Sequence, residues 1–367
     1  MEQSLFIKWV DKYFKGIVVK TVETMNGKQN DAALTYMFKE MLRKQFSVTG
    51  KWETLNILNT RVSADIVAMD SSLPLKVRDS IRKKTGDIPK SGMELWLNET
   101  QLTELDTLIA TNVDNKQIVA KLFEDTPRVI TGIYELLENM FLEGLSTGLA
   151  SLTEDKNTGA LIRLDYGYLP ENKFGVSALW SNTEAKPLDD FRKVLKKAKY
   201  TDGNTITDVY MDDVTFENFV NTNQVKEYFA FSLKFFGDKT LVPVPTLENI
   251  NSALKADNKY KFTIHIVDRT VVVEKNGVRT TVTPWSEGKV IFTTSKEVGV
   301  LAYATLAEQK RKKGDSAYQT VDDYILVAKF CEYRPSLREF TISQARVVPV
   351  ICNVEQIYQL DAKTVTA

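Results

Sequence analysis

Carboxylates stand side by side at three places, Asp189-Asp190, Asp212-Asp213 and Asp322-Asp323. Paired acids can share general-acid and general-base work, or hold Mg²⁺. Two of these pairs have simpler uses. Asp189-Asp190 opens an amphipathic segment, where the helix dipole favours anions. Asp212 or Asp213 can cap the helix that follows. The one histidine, His265, alternates with Phe262, Ile264 and Ile266, so it reads as a strand side chain. A Ser-His-Asp triad would have to use it, with Asp268 three residues on. A dyad with Cys331 or Cys352 has no support in the sequence. Both cysteines sit in apolar runs and read as small core residues. Neither GxxxxGK[ST] nor GxGxxG occurs, and a single histidine excludes multi-histidine metal sites. The basic run Lys310-Arg311-Lys312-Lys313 reads as a solvated loop. The sequence therefore offers no catalytic residue, no cofactor and no metal ligand.

Composition fits that reading. The chain has 367 residues, 43% hydrophobic and 26% charged, which is ordinary for a globular protein of two or more compact parts. Lys plus Arg and Asp plus Glu both number 48. Zero net charge argues against a dedicated nucleic-acid binder and suits copies that pack against one another. No secretory signal is expected over Met1–Lys20, and no apolar run approaches the ~18 residues of a membrane span.

The elements can be read in order. Residues 1–60 look like an extended arm. Asp31 caps a helix running to Gln45, with Leu34, Met37, Phe38, Met41 and Leu42 on one face, and Phe14–Thr24 and Trp52–Leu58 alternate like strands. Val62–Met69 and Met93–Leu97 read as paired strands around a polar stretch, Lys76–Lys90, that carries Gly86 and Pro89. A charged loop of this kind is a flap or an interaction arm. Residues 99–150 are helical in three pieces. The third, from Pro127, sets Ile130, Ile133, Tyr134, Leu137, Phe141 and Leu145 three and four apart, and Gly144 and Gly148 weaken its end.

A β-rich connector follows, over Leu161–Tyr168 and Gly175–Trp180. A second unit begins near Pro187. It has a helix to Ala198, a strand over Ile206–Met211, and short helices over Val214–Val220 and Val225–Phe229. Strands over Phe262–Val267, Val271–Glu274 and Val278–Val282 come next, with Asn276-Gly277 as a hairpin turn. The last quarter holds strand-like runs at Asp323–Glu332, Phe340–Ser343, Arg346–Cys352 and Val354–Leu360.

Several phrases carry a resemblance. Pro335-Ser336-Leu337-Arg338-Glu339-Phe340-Thr341-Ile342-Ser343-Gln344, then Pro349-Val350 and an apolar ending, resembles the C-terminus of the lambda-type major capsid protein E family of tailed bacteriophages. Val209-Tyr210-Met211-Asp212, Gly288–Phe292 and Gly299–Tyr303 are similar to other parts of that family in the same order. Asp70-Ser71-Ser72-Leu73-Pro74 followed by Gly86-Asp87-Ile88-Pro89 is similar to its E-loop stem and tip. The resemblance covers nearly the whole chain.

It implies an α+β, Hong Kong 97-like major capsid fold. The expected parts are an N-terminal arm (1–60), an E-loop (61–98), a peripheral domain with a long spine helix (99–186), an axial domain (187–329) and returning peripheral strands (330–367). Val347, Val348, Val350 and Ile351 would face Ile133, Leu137 and Phe141 of the spine. The E-loop residues Lys83, Lys84, Gly86, Asp87, Pro89 and Lys90 would touch a neighbouring subunit. Some relatives join a flap lysine to an asparagine of a neighbour, but no partner asparagine can be assigned here, so no cross-link is expected.

The resemblance implies a structural protein, not an enzyme. Hexamers and pentamers would close an icosahedral head around double-stranded DNA without reading its sequence. Assembly would occur in the host cytoplasm, with portal, scaffolding and decoration proteins as partners and no membrane. An encapsulin-like shell is the alternative of similar architecture. An α/β hydrolase or sugar-binding protein is the alternative of another class.

Overall fold

The computed structural model describes residues 3–27, 35–57, 81–111, 114–152, 162–233, 244–257, 260–275, 277–311 and 317–366. Helix α1 (Ile7–Gly27) buries Val10, Phe14, Val18, Val22 and Met25, which recur every three or four residues. The strand expected over Phe14–Thr24 is thus part of a helix. The β-branched run Ile17-Val18-Val19 misleads over a short window, and the longer period decides.

Helix α2 (Met37–Met41) is only one turn, and strand β1 (Leu42–Phe46) follows at once. The helix expected to reach Gln45 stops early, because Leu42–Phe46 pairs with a strand far along the chain. Asp31 and Leu34 lie outside the described residues. Strands β2 (Lys51–Ile57) and β3 (Ile81–Asp87) pair antiparallel, Lys51 opposite Asp87. Ile81–Asp87, expected to be part of the polar stretch, is therefore a strand. Val62–Met69 lies outside the described residues, and Met93–Leu97 belongs to β4 (Lys90–Leu97), which pairs elsewhere.

Helix α3 (Glu99–Ala110) starts at a capping box between Asn98 and Gln101. Helix α4 (Asn115–Leu122) is capped by Asp114. The spine, α5 (Asp125–Thr147), buries the expected apolar positions and ends at Gly148, whose φ of +80° needs a residue without a Cβ. Strands β5 (Leu149–Leu152) and β6 (Ile162–Asp165) form a hairpin, and β7 (Lys173–Val176) follows.

The second unit opens with α6 (Pro187–Lys196), proline at its first position. Then come β8 (Asp208–Met211), α7 (Asp213–Asn221), α8 (Asn223–Ser232), α9 (Leu247–Ala256) and β9 (Thr263–Ile266). Strands β10 (Val271–Lys275) and β11 (Val278–Val282) form a hairpin with Gly277 at φ +78°. The chain continues through β12 (Lys289–Thr293), β13 (Gly299–Tyr303), α10 (Ala307–Lys310), β14 (Ala317–Val321) and β15 (Ile325–Glu332). It ends with β16 (Arg338–Ile351) and β17 (Ile357–Val365). The two runs expected at Phe340–Ser343 and Arg346–Cys352 are one 14-residue strand.

Two sheets organise these parts. The first runs β1-β13-β16-β15-β14, with β4 also paired to β16; the second runs β7-β17-β12-β8-β9. Spine helix α5 packs on β16, with Val129 O accepting from Ser343 Oγ at 2.6 Å. Helix α1 lies against α5 and β14. One apolar core fills this body, including Ile133, Leu137, Phe141, Val348 and Val350. A second core, with Phe191, Phe219, Phe262 and Phe292, fills the other unit. Sheet membership does not follow the break expected at 329/330. Strand β13 and all of β15 belong with β16, while β17 belongs with β12 and β7. The chain crosses between the bodies at Thr293–Gly299 and again at Cys352–Ile357.

Candidate assembly surfaces

The paired carboxylates resolve into structural roles. Asp190 is fully buried and accepts from Ser177 N at 3.1 Å, Ser177 Oγ at 2.7 Å and Trp180 Nε1 at 3.1 Å. It ties the chain after β7 to α6. Asp189 pairs with Arg192 at 2.6 Å on the surface. Asp212 caps α7 through Thr215 N at 3.0 Å and also accepts from Gly288 N at 3.2 Å. Asp322, in the turn between β14 and β15, accepts from the Tyr134 hydroxyl and faces Lys39 and Lys44, each at 3.5 Å. His265 lies in β9, stacks on Tyr210 and meets Asp208 at 2.7 Å. Neither cysteine forms a disulfide, the Cys331 thiol donates to Gln3 O at 2.8 Å, and burial pushes the Cys352 thiol up to about 11. Among the described residues no group of His, Cys, Asp and Glu is arranged to hold a metal, and no helix is long and apolar enough to cross a membrane.

The expected E-loop residues lie in and just after β3, at the base of the β2–β3 pair. Gly86 lies opposite buried Trp52, and a Cβ there would come within 2.7 Å of the indole Nε1. Lys83 pairs through its backbone with Leu55, and Asp87 with Lys51. Lys84 reaches Asp165 at 3.0 Å across the β5–β6 hairpin. Pro89 precedes β4, where Lys90 stands opposite Arg346. Arg346 anchors the root. Its Nε donates to Ile88 O at 3.0 Å and its Nη2 to Gly50 O at 3.2 Å, so one guanidinium holds both ends of the β2–β3 hairpin to β16. Sequence reading missed Arg346. Its signal was a cation in the middle of an apolar run.

The surface also carries a cleft of about 880 Å³. It lies between β4, the outer face of α5 and the β10–β11 hairpin, with Met93, Leu136 and Val273 in its lining. Met93, Trp96, Val272 and Val278 are exposed nearby.

Residues 98–323 match the sequence family described as phage major capsid protein E. That match spans the spine, the second unit apart from β17, and the return to the first sheet through β13 and β14. The chain belongs to the phage major capsid protein E family. No curated protein matches it in sequence. Its fold is similar to that of a prophage capsid protein of E. coli CFT073. The two chains share 11% identity with a TM-score of 0.56, over 94% of this chain and 98% of that one. A phage-related protein of Bordetella bronchiseptica RB50 is also similar. It shares 11% identity with a TM-score of 0.51, over 95% of this chain and 96% of that one.

This capsid protein therefore has the α+β, Hong Kong 97-like architecture and is a component of the virion. Membership of the family favours the phage shell over the encapsulin and hydrolase alternatives.

Proposed function

We propose that the chain builds the icosahedral head of a tailed phage as hexamers and pentamers, closed around double-stranded DNA in the host cytoplasm. What carries this reading is the family match over residues 98–323, which includes parts of both large apolar cores. The work is geometric and involves no chemical step. Each subunit contact belongs to the permanent size class, ~2,000 Å² or more. The same heterologous contact closes rings of six and of five. Portal and scaffolding proteins are the partners expected in this role, with decoration proteins as an optional addition. Zero net charge fits enclosure of DNA without base readout.

Residues 1–60 serve as the arm and 61–98 as the flap. The β16 sheet with α5 forms the peripheral part, and the β12 sheet with α6–α9 the axial part. Lys83, Lys84, Gly86, Asp87, Pro89 and Lys90 place the flap on a neighbouring subunit.

Electron microscopy of the purified protein tests the role: rings or closed shells are expected, and a monodisperse compact monomer at assembly concentrations would overturn it. Assembly is also expected to slow amide exchange across residues 70–92. Exchange there that is identical in free and assembled protein would remove the flap from the interface.

A further inference from the structure

Two stretches near the N-terminus are tied to the body by carboxylates that are almost wholly buried. Glu339 on β16 is 0% exposed and accepts from the Ser4 hydroxyl and from Leu5 N at 3.1 Å. Glu138 on α5 is 1% exposed and accepts from Met37 N at 2.9 Å and Phe38 N at 3.0 Å, consecutive amides at the start of α2. Their electrostatic company differs. Glu339 has the Lys329 ammonium at 3.9 Å. Among the described residues no ion pair involves Glu138.

The charged and titratable groups around Glu138 come from every element packed on it. Glu135 lies one turn earlier on α5. Arg269, from the segment before β10, donates to Glu135 at 2.6 Å, as does the Tyr36 hydroxyl at 2.9 Å. Lys39 lies 3.5 Å from both Asp322 and the Tyr134 ring centroid. Burial pushes the Glu138 carboxyl up to about 7; the Phe38 and Met37 amides and Arg269 pull the other way, and Glu135 adds to the rise.

We propose that Glu138 is a proton-linked clasp that seats residues 35–46, the entry to the flap, on the spine helix and holds them most firmly in its protonated form. Lifting this segment hydrates the carboxyl and returns it to ordinary acidity, so release and proton loss are one event. Protonation weakens an amide bond to one oxygen. It also ends the need to bury an ion, and the second effect is the larger. The group's acidity is weaker seated than released, so opening becomes easier as pH rises from the ordinary glutamate range to about 7. Strand β1 follows α2 directly and forms the edge of the first sheet, so the clasp governs how that edge and the flap beyond it are seated. The consequence for the flap rests on the shell-forming role, whereas the clasp itself does not.

The test is amide exchange of the unassembled full chain between pH 5 and pH 8, corrected for intrinsic exchange. Opening at Met37 and Phe38 is expected to rise roughly tenfold or more across that range. Leu5, held by the lysine-paired Glu339, serves as the internal control and is expected to change much less. Glu138→Gln keeps an acceptor and cannot titrate, so its Met37 and Phe38 protection is expected to be flat with pH. Protection in the natural chain that is flat with pH, or that rises with pH, overturns the clasp, and this comparison needs no variant. An unchanged slope in Glu138→Gln also overturns it. Neither result bears on shell formation, which is read separately by microscopy.

Discussion

Val350→Asp is expected to remove soluble, assembly-competent protein altogether, not merely to slow assembly. Val350 is 0% exposed, lies in β16 opposite Val300 of β13, and belongs to the core that α5 covers. Its carbonyl oxygen lies 2.1 Å from where a Cβ on Gly299 would be, so the backbones leave no room to shift. An aspartate there buries a carboxylate with no cation to meet it, at a cost of several kcal/mol even if it takes a proton. A domain held by ~5–15 kcal/mol overall does not absorb that easily. Soluble yield, thermal melting and microscopy of any recovered protein measure it. A Val350→Asp protein that melts as the natural chain does and still forms shells would show that β16 is not core, and the architecture would fail with it. Val350→Ala separates charge from volume, and the cavity it leaves costs less, about 1–3 kcal/mol.

Long-period features of this fold were legible. The spine helix declared itself because Ile130, Ile133, Tyr134, Leu137 and Phe141 repeat over many turns, and all are buried as expected. The β12 and β13 strands were legible through the family resemblance of Gly288–Phe292 and Gly299–Tyr303. Short windows failed where tertiary pairing overrode local preference. Leu42–Phe46 reads as the tail of a helix, but Gly299–Tyr303 claims it as a parallel strand. Strand β2 was legible in the alternation from Trp52, but its partner Ile81–Asp87 reads as a polar loop because of its many charged residues.

The buried polar anchors were the least visible. Glu138 sits four residues after Tyr134 and three before Phe141, on the apolar face of its helix. A charge at that position is the available signal, and it is weak because one acid within a long apolar stripe has no second acid beside it. Arg346 and Glu339 were similarly masked by the apolar residues around them. Conversely, each adjacent carboxylate pair that suggested chemistry found a local hydrogen-bonding or ion-pairing use.

Lys329 is where removing one partner and removing both should differ most. Its ammonium is 0% exposed, donates to Leu122 O at 3.1 Å and Thr341 Oγ1 at 2.9 Å, and lies 3.9 Å from Glu339. Burial pushes Lys329 down, with Glu339 and Asp125 opposing. Burial also pushes Glu339 up, against Lys329, the Ser4 hydroxyl and the Leu5 amide. Lys329→Met keeps the volume and strands the carboxylate, at an expected cost of about 3–5 kcal/mol. Without its cation, the Glu339 carboxyl should rise further. An acid whose folded pKa lies above its unfolded one loses stability as pH climbs between the two values. The deficit of Lys329→Met should therefore be larger at pH 8 than at pH 5.

Adding Glu339→Gln removes the stranded charge and should recover most of the loss, although the Lys329 contacts to Leu122 and Thr341 stay missing. Denaturation midpoints of the four proteins at the two pH values close the cycle. If Lys329→Met is as stable as the natural chain at pH 8, the pair is not buried as an ion pair. If the double variant is no better than the single one, the penalty comes from packing around Phe123, which lies 5.7 Å from the ammonium, and not from charge. Recovery in the double variant would instead mean that the ion pair adds little net stability, and that its effect is to make the seating of Ser4 and Leu5 depend on a partner lysine.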